Sequence, residues 1–394
     1  MAIILSKQPL DFSPVRNPIS VRFSVLTLWR LVSGYSIKCK VLTETLPGSG
    51  VYQEVIELPG SIDENDFVQW NVASIIEGKM SQEVPSLTFG GGKVAGNMFL
   101  RYKLEINEYV NSTSILSYSI EPKVAISAGL AKGKRAELDA MIKAGSFLTN
   151  QSRAKKITAN QPEFLAFGLP FGISAGSFQL MAKLLFEDGS TSADFSGPSV
   201  SGQEGDVLLF AAGYNQLNLG QAPAALAVIG YELWVKEVSS GNRISEVMQY
   251  RFDGCKCSPL DRFYVFENTF GGFDSVRTTG QASIAQSQGG QEAYLMPDIN
   301  NDGLDAEYIN FAITHQVKIE QNIGYQSTSD QAWLRELLRP KTCFRVGDFL
   351  PNPDGEGELV PIKLELGEVP LMVDEKFFHK LSFKYSEAFN ELGV

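Results

Sequence analysis

Short runs of alternating apolar and polar residues, separated by turns, restrict the fold of this chain most strongly. The runs YSIKCKVLTE (35–44) and VYQEVIEL (51–58) alternate with a period of two, and each is followed by a turn rich in Gly or Pro. That period places successive side chains on opposite faces of a strand. Strands at intervals of about ten residues with turns between them are typical of a β-sandwich. We therefore expect a mainly β chain, with two or three β-sandwich-like domains and a few short helices.

The chain has 394 residues, enough for two or three separately cored domains. Strand patterns fill residues 1–125, which we interpret as an N-terminal β-sandwich-like domain, and residues 161–253, which we interpret as a second β domain. Residues 254–394 predict a C-terminal β-rich domain with one short helix in SDQAWLRELLRP. Asp330 lies near the start of that helix and Pro340 ends it.

Residues 126–160 differ from the segments on either side. The run AKGKRAELDAMIKAGSFL places Leu138, Met141 and Ile142 at helical spacing, and the polar, basic run TNQSRAKKITAN follows it. We interpret this segment as a connector or an extended arm at a domain boundary.

The charge of the chain excludes some partners. The formal net charge is −11, with no block of like charges. An acidic surface repels nucleic acid and anionic membranes, so we expect neither as a direct ligand. No run of about 18 apolar residues predicts a membrane span. The start, MAIILSKQPLDFSP, lacks a basic region before its apolar run, which predicts no signal peptide and synthesis in a cytoplasm.

The four cysteines do not form a zinc pattern. Cys255 and Cys257 offer one half-site, while Cys39 and Cys343 stand alone. A structural zinc site needs four ligands, normally as two paired half-sites. We therefore expect reduced, partly buried thiols and no cofactor.

One serine motif matches a catalytic sequence pattern, but the segments on either side of it do not fit the structure that the pattern requires. The run GISAG (172–176) matches the nucleophile elbow, with Ser174 at its centre. That mechanism needs a strand before the serine and a helix after it. Pro170 precedes the motif, however, and FQLMAKLLFEDGS after it has the pattern of a strand. We predict a Gly/Ser turn, and we expect His315 to be an ordinary strand residue and not its base.

Residues 298–307, DINNDGLDAE, match the first half of a calcium loop. Asp298, Asn300 and Asp302 occupy the first, third and fifth positions, where oxygen ligands converge on one cation. Position twelve is Ile309, where a bidentate Glu is required. Two interpretations stay open: a weak calcium site formed by these three residues, or a turn that Asn, Asp and Gly favour in any case.

The stretch FYVFENTFGGFDSV (263–276) combines aromatic residues with a pair of glycines. Glycine permits positive φ and a sharp reversal, and Asn or Asp side chains hold such a reversal by bonding to the backbone. Aromatic side chains on either side bury large areas. We predict a rigid bend between two strands and not a reactive centre. This structural corner comprises Asn268, Phe270, Gly271, Gly272, Phe273 and Asp274.

The same stretch carries a resemblance to a known family. The run CSPLDRFYVFENTFGGFDSVRTTG (257–280) resembles a pattern in tail and baseplate-type structural proteins of Bacteroidetes phages and prophages. In that pattern a Cys-Pro-like turn leads into an aromatic strand, a Gly-Gly bend and a second strand. The start SPVRNPISVRFSV (13–25) is similar to the first strand of this distal-tail-like family. The end, from WLRELLRPKTCFRVGD to LSFKYSEAFNE, is similar to its closing helix and strands.

The resemblance implies a non-enzymatic structural component of a virion tail, made in the host bacterial cytoplasm. It implies a homo-oligomeric ring or connector whose partners are sister subunits and other tail or baseplate proteins. Neighbouring subunits or extended arms would cover exposed strand edges. Residues 126–160 and a Ser/Gln/Gly-rich loop at 279–291 are the candidate arms.

Two other functions stay open. A carbohydrate-binding adhesin or tail-fibre protein would bind a host surface glycan through exposed aromatic platforms, with Trp70, Trp234 and Trp333 as candidates. A glycan-cleaving enzyme would need two paired carboxylates, and the 45 acidic residues contain no pattern that selects a pair. Glycan binding and polysaccharide turnover would distinguish these functions from assembly.

Overall fold

A computed structural model of the chain describes residues 3–81, 83–87, 91–221, 226–254, 260–294, 308–326, 333–338, 340–347, 357–365 and 379–388. The fold is mainly β, with several multi-stranded sheets and a few short helices, as the alternating runs predict. The chain divides into two compact units. The first unit is Met1–Gly254 with Glu267–Ser275, and the second is Cys255–Phe266 with Val276–Val394.

The first unit contains sixteen complete strands among its described residues. In chain order they are β1 (Ile3–Lys7), β2 (Phe12–Pro14), β3 (Ser20–Val25), β4 (Tyr35–Glu44), β5 (Tyr52–Pro59), β6 (Phe67–Asn71), β7 (Gly92–Val94), β8 (Phe99–Val110), β9 (Thr113–Ile126), β10 (Ala154–Ile157), β11 (Phe164–Gly168), β12 (Gly176–Phe186), β13 (Phe195–Gly202), β14 (Val207–Ala211), β15 (Val228–Glu237) and β16 (Met248–Phe252). Its helices are α1 (Thr27–Arg30), α2 (Ala73–Glu77), α3 (Arg135–Lys143) and the 3₁₀ turn Leu219–Gln221.

Two sheets of the first half of this unit enclose one core. Their strand orders are β1-β3-β6 and β2-β9-β8-β4-β5. Strand β4 shows why the chain folds this way, because Ile37, Cys39 and Val41 are buried in the core. The alternate residues point outward, and Lys38 and Lys40 form ion pairs with carboxylates of β5 at 2.8 and 2.9 Å. We call this part the first sandwich.

The second sandwich packs the sheet β10-β16-β15-β12-β13 against the sheet β11-β14-β7. Strands β11 and β14 are buried along their whole length, which explains their continuous apolar sequences. Strand β7 comes from the N-terminal part of the chain and pairs with β14 from Val94↔Leu208 to Gly92↔Phe210. The guanidinium of Arg101 also joins the sandwiches, because it donates to Glu44 at 3.0 Å and to Asp206 at 2.7 Å.

The segment from 126 to 160 is part of the first unit. Leu138 and Ile142 of α3 are fully buried, at the helical spacing that the sequence shows. Lys143, at the end of this helix, pairs with Asp11 at 2.7 Å. The segment continues into β10, which runs parallel to β16.

The second unit is built on a seven-stranded sheet. Its strands are β17 (Arg262–Glu267), β18 (Phe273–Thr278), β19 (Ala282–Tyr294), β20 (Tyr308–Gln326), β21 (Cys343–Val346), β22 (Leu359–Leu364) and β23 (His379–Glu387), in the order β18-β17-β21-β22-β23-β20-β19. A 3₁₀ turn, Arg335–Leu338, follows Leu334, and Leu334 and Leu337 belong to the core of this unit. The division between the units passes through β17 and β18, so the tip of this hairpin belongs to the first unit.

The sequence prediction of a loop at 279–291 is wrong. Most of this polar segment forms β19, which pairs with β20 from Ala282↔Gln321 to Tyr294↔Tyr308. Ser, Gln and Gly have weak strand preference, but regular backbone pairing with a long neighbouring strand outweighs local propensity. In the described part of the chain, no helix has the length and apolar character needed to cross a membrane.

Candidate functional site

The structural corner comprises residues of the turn after β17 and the first two residues of β18, and it is buried. Phe270 is 1% and Phe273 3% exposed, and the polar side chains of Asn268 and Asp274 are 1% and 0% exposed. Burying a polar group is costly unless hydrogen bonds replace its contacts with water. The hydrogen bonds of Asn268 and Asp274 therefore decide what the corner does.

Asn268 organises the bend through both ends of its amide. Its Oδ1 accepts hydrogen bonds from the backbone N–H groups of Phe270 and Gly272, both at 3.0 Å. Its Nδ2 donates to the carbonyl oxygen of Leu148 at 2.8 Å and to Oδ1 of Asp274 at 3.0 Å. One side chain thus closes the bend internally and attaches it to the segment after α3.

The two glycines allow the corner to approach neighbouring backbone closely. Gly271 has a φ of +84°, and a Cβ there would lie 2.6 Å from the carbonyl oxygen of Ser127. A Cβ on Gly272 would lie 2.4 Å from the carbonyl oxygen of Leu148. Backbone atoms cannot swing away as a long side chain does, so both positions require glycine.

A cluster of buried polar residues continues from the corner. Asp274 accepts a hydrogen bond from Thr149 Oγ1 at 2.8 Å. The next residue, Ser275, donates through its hydroxyl to Glu163 Oε1 at 2.8 Å. Lys155 Nζ donates to Glu163 Oε1 and Oε2 at 2.7 and 2.9 Å and to the Ser275 carbonyl oxygen at 2.6 Å. We call Lys155, Gln161, Glu163 and Ser275 the Glu163 cluster.

The electrostatics of this cluster follow from its burial. Glu163 is fully buried, which raises the pKa of its carboxyl, while the positive charge of Lys155 opposes the increase. Gln161 Nε2 donates to the same carboxylate at 2.7 Å. Burial first, and then the charge of Glu163, raises the pKa of the Tyr231 and Tyr250 hydroxyls. The polar groups of the cluster thus bond to one another inside the protein. These bonds hold the hairpin tip against β10 and the start of β11.

A third contact holds the start of the hairpin tip. Glu267 accepts hydrogen bonds from the guanidinium of Arg16 and from Ser127 Oγ, the latter at 3.0 Å. The backbone N–H of Gly129 donates to the Thr269 carbonyl oxygen at 2.9 Å. The tip Glu267–Ser275 is therefore bonded to the chain near residues 16, 127–129, 148–149 and 155–163.

The structure separates the other residues that the sequence singles out. Ser174 lies in an exposed loop between β11 and β12, and a strand follows it, so the predicted turn is confirmed and the elbow geometry is not formed. His315 lies in β20, opposite Gln288, as expected for a strand residue. The proposed calcium ligands Asp298, Asn300 and Asp302 lie outside the described residues. Within the part of the chain that the structure describes, no group of three or more His, Cys, Asp or Glu side chains is placed to hold a metal ion.

Among the described residues, the cysteines are buried and the tryptophans differ in exposure. Cys39 and Cys343 are free thiols, and burial raises the pKa of Cys39 to about 12. Cys255 and Cys257 lie outside the described residues. Trp70 is only 5% exposed and donates from Nε1 to the Pro59 carbonyl oxygen at 3.0 Å, which excludes it as a platform. Trp234 and Trp333 are half-buried.

Sequence reasoning identified the corner but missed Lys155 and Glu163. Glu163 stands directly before the apolar run FLAFG, where a carboxylate normally marks the exposed end of a strand, so nothing in the sequence indicated its burial. Lys155 belongs to the run RAKKI, in which Lys155 is buried and the neighbouring Lys156 is exposed. Alternation along β10 places Lys155 on the same face as Ile157, which belongs to the core, and Lys156 on the opposite face.

Comparisons with known proteins give only weak structural similarities. No protein-family model and no curated protein matches it. Among solved structures it is similar to the full extracellular region of plexin A4, at 9% identity and a TM-score of 0.19, covering 100% of this chain and 40% of that chain. It is also similar to Salmonella alpha-2-macroglobulin. A mutant form and a methylamine-reacted form, at 8% and 9% identity, each have a TM-score of 0.21 and cover 83% of this chain and 25% of that chain. Scores this low do not establish a shared fold, and the chain spans less than half the length of each of these proteins.

Proposed function

We propose that the chain is a non-enzymatic structural component of a phage tail or baseplate, which acts in the virion. It assembles with sister copies as a symmetric ring or connector and contacts other tail proteins. The resemblance of residues 257–280 to Bacteroidetes phage tail proteins supports this role. The closely bonded corner supports it as well, because a subunit that bears load between neighbours needs fixed hairpins.

The observation that carries the proposal is an exposed apolar segment in the first sandwich. Leu28 and Leu31 are each 79% exposed, and Leu26 and Val32 are 46% and 38% exposed. We call these four residues the apolar segment. Single exposed apolar residues are ordinary, but four within seven positions of one short turn mark a surface that another protein covers.

The turn that presents the apolar segment is fixed to the protein. Trp29 packs against the core of the first sandwich, with its ring 5.7 Å from that of Tyr35. Thr27 Oγ1 donates to Asp66 at 2.8 Å, and the backbone N–H of Val25 donates to the Asp66 carbonyl oxygen at 2.7 Å. The leucines are therefore held outward by an anchored neighbour, which lowers the entropy lost on binding.

An apolar contact suits association between copies of an acidic chain. Copies with a net charge of −11 repel one another at long range, so association needs short-range burial of apolar area. A segment of one copy that packs on a different surface of the next copy makes a head-to-tail contact. Such contacts close into rings when the rotation between copies divides a full turn.

The mass of the protein in solution tests this proposal. We expect the full chain to sediment at a multiple of 43.2 kDa, and negative-stain electron microscopy to show rings. The double variant Leu28→Asp/Leu31→Asp should sediment as a monomer, because a charge at each position would have to be buried in the contact. The matched control is Leu46→Asp, on another turn where Leu46 is 69% exposed. A wild-type chain that stays at the monomer mass at every concentration would contradict unaided assembly.

A further inference from the structure

The five-stranded sheet of the second sandwich has an outer face that does not belong to the core. Leu180 and Leu233 point into the core, whereas Met181 and Trp234 are absent from it. Met181 and Trp234 stand directly opposite each other on β12 and β15. Because side chains alternate along a strand, both lie on the side of the sheet that faces away from the core.

Trp234 is surrounded by polar side chains on this outer face. Glu232 and Lys236 precede and follow it by two positions on β15, and they stand opposite Lys183 and Gln179 of β12. Lys183 Nζ lies 5.8 Å from the centre of the indole ring. Gln249 Nε2 donates to Glu232 Oε1 at 3.2 Å. The surroundings therefore offer ammonium, amide and carboxylate groups close to one large apolar ring, with the Lys183 ammonium over one face of it.

The centre of the outer face is apolar although it lies outside the core. Met181 is only 5% exposed, and Trp234 opposite it is half-buried. An indole ring placed among polar groups combines a flat apolar surface with nearby hydrogen-bonding groups. A sugar ring has the complementary chemistry, because its C–H face is apolar and its hydroxyls lie at the edge. Small-molecule sites in general combine apolar surface with a few well-placed polar groups.

The charges of the outer face indicate which sugars fit. Basic side chains outnumber acidic ones there, the set being Lys156, Lys183, Lys236 and Arg251 against Glu232 and Asp194. Lys183 is paired with Asp194 at 3.1 Å. Neither Lys156 nor Lys236 has an ion-pair partner within the described residues. The negative charge elsewhere on the chain is screened beyond about 8–10 Å at physiological ionic strength, so a local excess of positive charge still attracts carboxylates.

We propose that this outer face binds an acidic saccharide. Trp234 stacks on one sugar ring, and Gln179 and Glu232 bond to hydroxyls. Lys236 and Lys156 lie on opposite sides of Trp234 along the sheet, and they pair with carboxylates of different units of the saccharide. Gln179 Nε2 donates to the Gly197 carbonyl oxygen at 3.2 Å. Displacing a surface ion pair or amide bond costs little, so the existing contacts of Lys183, Gln179 and Gln249 do not prevent binding. This site does not include the apolar segment. The result of a saccharide-binding test therefore leaves the assembly proposal unchanged.

Affinity electrophoresis of the full chain tests the site. Native gels would contain one of four acidic polysaccharides (polygalacturonate, alginate, hyaluronan or polysialate) or neutral dextran. We expect at least one acidic polymer to retard the wild-type protein and dextran not to. Trp234→Ala should weaken retardation roughly tenfold, the order of one lost aromatic contact. The matched control is Phe171→Ala, which removes an aromatic side chain 37% exposed elsewhere in the first unit and should leave retardation unchanged.

A second variant separates binding from folding. Lys156→Ala/Lys236→Ala alters two surface side chains, so it should fold normally and still lose retardation, and added salt should weaken wild-type binding. Lys132→Ala, on an exposed loop, is its control. The proposal is overturned if none of the four acidic polymers retards the protein, or if dextran retards it equally. Equal retardation by duplex DNA, unaffected by Trp234→Ala, would also overturn it, because it would show general attraction to polyanions.

Discussion

The corner and the apolar segment reverse the usual distribution of polarity in opposite ways. The corner places Asn268 and Asp274 inside the protein, at 1% and 0% exposure. The apolar segment places Leu28 and Leu31 outside it, at 79% exposure each. Buried polar groups persist where each has a partner within the chain, as the bonds of Asn268 show. The exposed leucines are not covered by the described residues of the chain, and we therefore propose that another chain covers them.

The largest effect on stability is expected from removal of the buried negative charge next to the corner. Glu163→Gln removes the carboxylate charge that pairs with the buried Lys155 ammonium, so we expect the free energy of unfolding of the first unit to fall by about 3–5 kcal/mol. Urea unfolding followed by tryptophan fluorescence would measure it. Glu54→Gln is the matched control, because Glu54 pairs with Lys40 at 2.9 Å but is 44% exposed, and its loss should cost less than about 1 kcal/mol.

A double variant sharpens that result. Lys155→Met added to Glu163→Gln removes the buried ammonium charge as well, and we expect it to recover much of the lost stability. Equal effects of Glu163→Gln and Glu54→Gln would show that burial does not distinguish the two pairs, and the description of the Glu163 cluster would be wrong.

The second test compares two glycines with similar backbone and different surroundings. Gly271 and Gly133 have φ of +84° and +94°, but a Cβ at Gly133 meets nothing within 4 Å. Gly133→Ala should therefore cost only backbone strain, about 1 kcal/mol. Gly271→Ala adds a contact with the Ser127 carbonyl oxygen and should cost about 3 kcal/mol. If thermal or urea unfolding gave the same loss for both, close approach would not be the reason for glycine in the corner.

The smallest expected effect concerns the apolar segment. Leu28→Asp/Leu31→Asp should change the free energy of unfolding of the monomer by less than about 0.5 kcal/mol, because both side chains are already in water. Trp29→Ala, which removes the anchor between them, should cost about 2 kcal/mol. A large loss of monomer stability in the double leucine variant would mean that the segment serves folding, and the contrast with the corner would disappear.

Local features of the fold were predictable from the sequence. The runs at 35–44 and 51–58 correspond to β4 (Tyr35–Glu44) and β5 (Tyr52–Pro59), since alternation reports burial of one face. The helical spacing of Leu138 and Ile142 likewise indicates α3. The reversal by glycine and the bonds from Asn268 to nearby backbone are also local, so the bend itself was predictable.

Features that depend on distant parts of the chain were not predictable. The bond between Ser275 and Glu163 joins residues 112 positions apart, and no spacing in the sequence reports it. The Asp274 side chain accepts a hydrogen bond from Thr149, which is 125 positions away, and one from Asn268. Strand β19 was missed for a related reason, because its polar sequence becomes a strand only beside β20.

The short strand β7 has a consequence for how the first unit loses its structure. It precedes β8 and β9 of the first sandwich in the chain, yet it completes a sheet of the second. Unfolding of either sandwich would therefore disturb β7, which the second sandwich needs to complete its sheet. We expect calorimetry to record the unfolding of both sandwiches as one transition. For the same reason, a protein cut between the two sandwiches would leave β14 with an open edge, inviting a strand from another molecule to take the place of β7.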